Sequence, residues 1–348
     1  MGGGDVTFLE RVGSKKVSGR TLHDVARVSG LSTATISKYL NGAKVKPENE
    51  KRIIQAIEEC GYSVNFFAKV LKTNRSMTIG VLIPNLASTF YSSIVSEVER
   101  KLAMKGYTLF ISGYDNNESQ ENAKFQTLVS RRVDAILVAP ERLSAESFEM
   151  AQRNGIPVLC FDTLVEGNNC PAVITNNFDV CKSVMKRLIL SDFQKIVVLL
   201  PNVIYFTTGE RRRGCEEALK EHKAESRAEF LHTSGDALGA YECVKSSLRQ
   251  LVRPDVVFAL SSGTFLGALM AIEDTGLKIP DDIAFIGYDN RMISRVHTPN
   301  ISLVYQPIQE IADNICIGLE RLLIGEMCES TVVASQVFYT ESIDRPSR

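Results

Sequence analysis

Three short helical patterns open the chain beyond its first twenty residues. Apolar positions recur at Leu22, Val25 and Ala26, the spacing of one buried helix face. Thr21 stands where it can cap that helix, Asp24 follows three residues on to close a capping box, and Gly30 ends it. A second helix follows the cap residue Ser32. It buries Ile36, Tyr39 and Leu40 and turns Thr33, Ala34, Ser37 and Lys38 outward. A third opens with Pro47 in its first turn, buries Ile53, Ile57 and Cys60, and stops at Gly61. Helices this short bury little area, so the module is expected to work through its outer face. Residues 62–76 form a link in which Asn65 can cap one more helix, Phe66 to Lys72. A helix of that length orders only against a partner. Residues 1–20 are Gly-rich, charged and aperiodic, and are expected to be a disordered tail.

From Thr78 the period changes. Apolar runs of strand length (TIGVLIP, YTLFIS, DAILVA, IPVLCFD, AVIT, KIVVLLP, DVVFAL, DIAFIGYD) alternate with amphipathic helical patterns. Continuous apolar strands between helices predict parallel sheets covered on both faces, and the units suffice for two of them. The run NISLVYQPIQEIADNICIGLERLLIG comes after the second series and is expected to cross back to the first lobe. The organisation predicted is a tail over 1–20, a helical module over 21–64 and a link over 65–76. The first α/β lobe then takes 77–176 and 306–335, and the second takes 177–305 and 336–348.

Composition sharpens this in three ways. The 348 residues exceed one compact domain, and 44% hydrophobic with 7% aromatic residues is ordinary globular usage. No apolar run reaches membrane-spanning length, and the first residues lack the apolar core of a secretory signal, so a cytoplasmic protein is expected. Eight scattered cysteines form no CxxC pair and are expected to be reduced and mostly buried, with neither a metal site nor a disulfide framework. The net charge of −1 conceals an asymmetry: residues 1–76 carry +6 and the remainder −7. A basic head on an acidic body points to a polyanionic partner.

Residues 21–41, TLHDVARVSGLSTATISKYLN, resemble the helix-turn-helix of the lac repressor family, with the tight turn at Ser29-Gly30-Leu31 and the terminal Asn41-Gly42 in place. The similarity continues through VKPENEKRIIQAIEECGY and the link. It returns in GLKIPDDIAFIGYDN and QPIQEIADNICIGLERLL, which resemble that family's sensor domain. The resemblance implies an all-α helix-turn-helix head plus a two-lobed, periplasmic-binding-protein-like α/β sensor built from two doubly wound parallel sheets. It implies that Thr33, Ala34 and Lys38 read bases. A helix fits the major groove, and residues near its N-terminus reach base edges. Thr21, Ser32, Ser37 and Asn41 are better placed for phosphates. The link resembles the family's hinge helix, which implies a minor-groove role for Asn65, Ala68, Leu71 and Lys72, with Leu71 as the wedge between base pairs. Val64 stands where the family often has proline.

In the sensor, the family correspondence points to Phe90, Tyr91, Asp162, Thr207, Arg211 and Asp289 as effector-binding residues between the lobes, at the carboxyl ends of the strands. Arg and Asp across an apolar cleft suit a polyhydroxy or heterocyclic ligand. Three of these residues also have a plainer reading. Arg211 belongs to the run Arg211-Arg212-Arg213, which reads equally as a solvated helix face, and Phe90 and Tyr91 read equally as core. Two departures weaken a sugar assignment: Ser261-Ser262 replace the common Asn-Asp, and Ala237 replaces a stacking aromatic. The four histidines are dispersed, with no phosphate loop and no nucleophile elbow, so no catalytic residues, metal or cofactor are expected.

The function expected is a homodimeric, sequence-specific transcription regulator, a repressor, on pseudo-palindromic double-stranded operator DNA. Its affinity would be set by a small-molecule effector between the lobes. Two alternatives stay open: control by a protein partner instead of a metabolite, and a solute-binding protein, which would need a signal peptide and no basic head.

Overall fold

A computed structural model describes residues 21–40, 43–61, 75–165, 167, 170–201, 206–288 and 291–344. The expected tail and the positions Asn41, Asn65, Ala68, Leu71, Lys72 and Asp289 lie outside the described residues. The chain divides into two compact units, residues 1–76 and 77–348.

The first unit contains α1 (Leu22–Ser29), α2 (Thr33–Leu40) and α3 (Pro47–Cys60). The Asp24 carboxylate accepts from both the Thr21 amide and the Thr21 hydroxyl at 2.9 Å, which fixes the start of α1. Ser32 Oγ accepts from the Thr35 amide at 3.2 Å and starts α2. Val25, Ile36, Ile53 and Ala56 form the core, with Leu22, Ala26, Leu31, Tyr39, Leu40 and Ile57 packed around it. Ala56 occupies the core position that periodicity assigned to Cys60, which is half-buried at the end of α3. A last-turn side chain has no further turn of helix to cover it.

The second unit holds two six-stranded sheets. The first has the order β11-β5-β4-β3-β1-β2 and contains β1 (Thr78–Ile83), β2 (Thr108–Gly113), β3 (Ala135–Val138), β4 (Val158–Phe161), β5 (Ala172–Thr175) and β11 (Thr331–Val333). The second has the order β12-β10-β9-β8-β6-β7 and contains β6 (Ile196–Pro201), β7 (Ala228–Thr233), β8 (Val256–Ala259), β9 (Ala284–Tyr288), β10 (Ser302–Tyr305) and β12 (Gln336–Phe338). Every pairing is parallel except β10 with β12. The strand order reverses between β1 and β3 in one sheet and between β6 and β8 in the other, so each sheet is doubly wound with a crevice at that point.

The helices alternate with the strands. The first sheet is covered by α4 (Thr89–Ala103), α5 (Glu118–Ser130), α6 (Ala145–Arg153) and α12 (Ile308–Leu323), with one apolar cluster on each of its faces. The second is covered by α7 (Asn177–Leu190), α8 (Phe206–Glu221), α9 (Ala237–Leu248) and α10 (Ser262–Thr275), again with two clusters, and α11 (Arg291–Val296) follows β9. Three segments pass between the sheets: after Thr175, at Gln306-Pro307, and at 334–335. Strand β10 lies in the second sheet while α12 packs on the first, so the run beginning NISLVY crosses back at Gln306.

Small residues set how closely the helices approach. A Cβ on Gly214 of α8 would lie 2.2 Å from the Phe178 carbonyl oxygen of α7. Backbone is in contact there, and no rotamer change relieves it. Gly214→Ala is therefore expected to lower the stability of the sensor by about 1–3 kcal/mol, read as a shift of the urea midpoint at unchanged slope. An unchanged midpoint would show that α7 and α8 separate without cost.

Candidate functional site

In the first unit, the candidate site is one face of α2. Ile36 is fully buried beneath it, and the residues a turn apart on the other side, Ala34 and Lys38, are exposed. Thr33 and Ser37 flank them, half-buried. The four positions predicted to face outward therefore form one surface that runs from the capped first turn of α2, at Thr33 and Ala34, to its last turn, at Lys38. Thr21 and Ser32 already use their hydroxyls in the caps, so any phosphate contact they make is shared with that task.

In the second unit, the predicted effector residues collect at the carboxyl ends of the strands beside the two crevices. Phe90 and Tyr91 begin α4 after β1, and Asp162 follows β4. Phe90 and Tyr91 meet edge to face at 5.3 Å, and Tyr91 meets Phe161 at 6.0 Å. The rings pack on the first-lobe core, as the plainer reading had it, yet the Tyr91 hydroxyl points elsewhere and donates to Asp162 Oδ2 at 2.8 Å. Asp162 is buried and adopts a left-handed φ of 64°, uncommon for a residue with a Cβ. Its Oδ1 is buried with no hydrogen-bond partner. Burial pushes the Asp162 carboxyl above its ordinary range, against the pull of Arg211 and the Tyr91 hydrogen bond. Burial, and then the Asp162 charge, hold the Tyr91 phenol well above its usual range, so it serves as donor.

Thr207 and Arg211 lie one turn apart on α8, both buried at 8% exposure. The three consecutive arginines divide sharply. Arg212 pairs with Glu216 at 2.6 Å and Arg213 pairs with Glu210, both on the exposed face. Arg211 turns inward: Nε donates to Asn177 Oδ1 at 2.7 Å, an Nη donates to the Leu260 carbonyl at 2.6 Å, and the guanidinium lies 3.9 Å from the Tyr288 ring centre. Leu260 follows β8, so Arg211 sits at the second crevice. Its charge acts on Asp162 and Tyr91 of the first lobe. Phe90, Tyr91, Asp162, Thr207 and Arg211 are thus brought together at the facing strand ends.

Several residues of this site carry no pattern that periodicity detects. Asn177 is fully buried, orients Arg211, and leaves its own Nδ2 without a partner. Its signal was only the polar pair Asn176-Asn177 at the start of α7. Glu121, also fully buried, accepts from the amides of Glu141 and Arg142 at 2.9 Å and holds the loop after β3. Of the two departures noted in the sequence, Ser261 has a local role and nothing in the structure explains the side chain of Ala237. Ser261 caps α10 through the Thr264 amide at 3.2 Å. Ala237 begins α9 where its carbonyl lies against Gly267 of α10, at 2.1 Å from the place a Cβ would take. Among the described residues, no cluster of His, Cys, Asp and Glu could hold a metal ion, and no helix is long and apolar enough to cross a membrane.

Comparison with known proteins places both units. Residues 79–326 match the periplasmic binding protein domain, and residues 21–65 match the bacterial regulatory proteins of the lacI family. Over 317 residues the chain is 29% identical to the HTH-type transcriptional repressor PurR of Pasteurella multocida, covering 90% of this chain and 94% of that one. It is 26% identical to catabolite control protein A of Priestia megaterium over 317 residues, 90% of this chain and 95% of that one. A crystal structure of the lac repressor dimer bound to operator and the anti-inducer ONPF superposes with a TM-score of 0.83 at 20% identity, over 93% of this chain and 99% of that one. With its helix-turn-helix head and its two doubly wound sensor lobes, the chain belongs to the lacI family of bacterial regulatory proteins.

Proposed function

We propose that this protein is a transcriptional repressor that binds a pseudo-palindromic operator in double-stranded DNA as a homodimer, and that a small molecule held between its sensor lobes sets the operator affinity. The observation that carries the reading is the division of α2: Ile36 anchors it in the core, while Ala34 in its capped first turn and Lys38 one turn on stand exposed. A helix that presents a short apolar side chain in its capped first turn and a long cation one turn on suits base edges in the major groove. In this reading Thr33, Ala34 and Lys38 read bases, and Thr21, Ser32, Ser37 and Asn41 contact phosphates. Asn65, Ala68, Leu71 and Lys72 enter the minor groove, Leu71 as a wedge. The +6 charge of residues 1–76 supports a nucleic-acid partner.

The same reading gives the effector to Phe90, Tyr91, Asp162, Thr207, Arg211 and Asp289. An unpartnered buried carboxylate oxygen beside a tethered guanidinium suits a polyhydroxy or heterocyclic ligand that donates to Asp162 and accepts from Arg211. Exposed apolar side chains on β2 (Phe110, Ile111) and α10 (Leu266, Met270) offer surface that a second copy can cover. The domain limits follow the sequence reading, with the head over 21–64 and the hinge over 65–76. The protein acts in the cytoplasm at the nucleoid, by binding and not by turnover.

Selection of duplexes from a random pool by the purified full-length protein tests the DNA reading. Enrichment of a two-fold symmetric sequence is expected, and binding without sequence preference would overturn it. Lys38→Ala should relax base preference at one position in each half-site. Lys72→Ala should weaken all duplexes alike and reduce the salt dependence by about one phosphate contact per subunit.

The raised Asp162 carboxyl gives a stability test of the pocket. A carboxyl raised on folding favours the protonated form, so its cost is absent below the ordinary carboxylate range and grows as pH rises through the folded value. Asp162→Asn keeps an acceptor for Tyr91 and tolerates the left-handed backbone. The variant should match wild type in urea near pH 3 and become the more stable of the two by pH 7. A variant less stable than wild type at pH 7 would show that the Arg211 attraction outweighs burial.

A further inference from the structure

Two pairs of thiols touch among the described residues, and they differ in access. Cys181 and Cys215 meet between α7 and α8, both fully buried, with Cys181 Sγ 3.2 Å from the Tyr288 hydroxyl. Cys160 and Cys170 meet in the first lobe with their sulfurs 3.6 Å apart. Cys160 lies in β4 and is fully buried, while Cys170 stands just ahead of β5 and is half-exposed. The ladder already holds their backbones together: the Cys160 amide donates to the Pro171 carbonyl at 2.9 Å, and Cys160 pairs with Ala172 in register. A disulfide needs its sulfurs at about 2.05 Å, so closure asks the two side chains to approach by roughly 1.5 Å.

We infer that Cys160 and Cys170 form a peroxide-oxidisable dithiol that closes reversibly to a disulfide and staples the turn carrying Asp162. Only one member of the pair meets solvent, which sets the order of events. Cys160 is fully buried and out of reach of peroxide, so it is the resolving partner, and Cys170 is the thiol that peroxide meets. The Cys170 thiolate attacks one oxygen of hydrogen peroxide. The O–O bond breaks, leaving a sulfenic acid on Cys170 and a hydroxide that takes up a proton as water. The Cys160 sulfur then attacks the Cys170 sulfur. The S–O bond breaks and the departing hydroxide takes the Cys160 proton as a second water. Two thiols lose two electrons, peroxide gains them, and an external dithiol reverses the step.

Asp162 lies two residues beyond Cys160, inside the loop that the bond closes, and holds its left-handed turn against the Tyr91 hydroxyl. Closure therefore restricts the one residue in the site whose backbone is strained. Any consequence for effector response rests on the function proposed above; the thiol chemistry stands apart from it.

The test treats the full-length protein with hydrogen peroxide, blocks free thiols with N-ethylmaleimide and maps peptides by mass spectrometry. A linked Cys160–Cys170 peptide should dominate and disappear with dithiothreitol, with Cys181 and Cys215 still reduced. The oxidised protein should melt about 5 °C higher, and amide exchange over 161–164 should slow severalfold. Cys170→Ser, at the half-exposed position, should fold normally and lose all three responses; Cys160→Ser serves as the second variant. Overoxidation of Cys170 without a link, or a link from Cys170 to another cysteine, would overturn the pair. An unchanged melt and unchanged exchange in the linked protein would overturn the staple.

Discussion

A guanidinium removed from water has to be met by fixed partners, and Arg211 is where the sensor satisfies that demand. Its three partners come from three different places in the second lobe: Asn177 from the first turn of α7, the Leu260 carbonyl from the end of β8, and the Tyr288 ring from the end of β9. Holding one cation therefore fixes the ends of three elements around the crevice where the strand order reverses. The opposite wall is arranged differently. Asp162 has one oxygen on the Tyr91 hydroxyl and the other on nothing, inside a turn that costs backbone energy. The cation is tethered and the anion half-satisfied, and both sit where the local dielectric is low. A ligand that completes the carboxylate gains more there than it would at the surface.

The sequence announces its two units clearly because their periodicities differ. Leu22, Val25 and Ala26 repeat as a helix does, whereas TIGVLIP and KIVVLLP are unbroken, as only strands covered on both faces are. What it conceals lies at the sheet edges. Strand β7 (AEFLHT) interleaves Glu229 and His232 with its apolar residues and is only partly covered, so it carries neither signal. Strands β11 and β12 are three residues each and take their identity from the ladders they join. The site was legible as a set of positions and not as a set of contacts. The run Arg211-Arg212-Arg213 contains one buried and two solvated arginines, and nothing in the residues themselves says which. The answer comes from the phase of α8 against α7, set by Gly214 and the Phe178 backbone.

The head is economical for the opposite reason. Four buried side chains, Val25, Ile36, Ile53 and Ala56, hold three helices, and hydrogen-bonded caps at Thr21 and Ser32 supply much of the definition that area cannot. Such a core tolerates little truncation, yet it leaves Ala34 and Lys38 of α2 exposed. In the proposed function that exposure lets Ala34 and Lys38 answer to a partner and not to the fold.

Between the sensor lobes, the constraint loosens where the chain crosses. Each of the three crossing segments carries a buried polar atom without a partner: Thr175 Oγ1, Gln306 Nε2 and Ser335 Oγ. One tie spans two of them, the Asn176 carboxamide oxygen accepting from the Ser335 amide at 2.8 Å. The sheets on either side are hydrogen-bonded from strand to strand and packed on both faces. In the proposed function, a ligand bridging Asp162 and Arg211 would act on the two lobes from the strand ends, and it would alter their angle only by binding one arrangement more tightly than the other. In that reading the half-satisfied carboxylate would supply the difference, because one molecule would complete its free oxygen while touching Arg211.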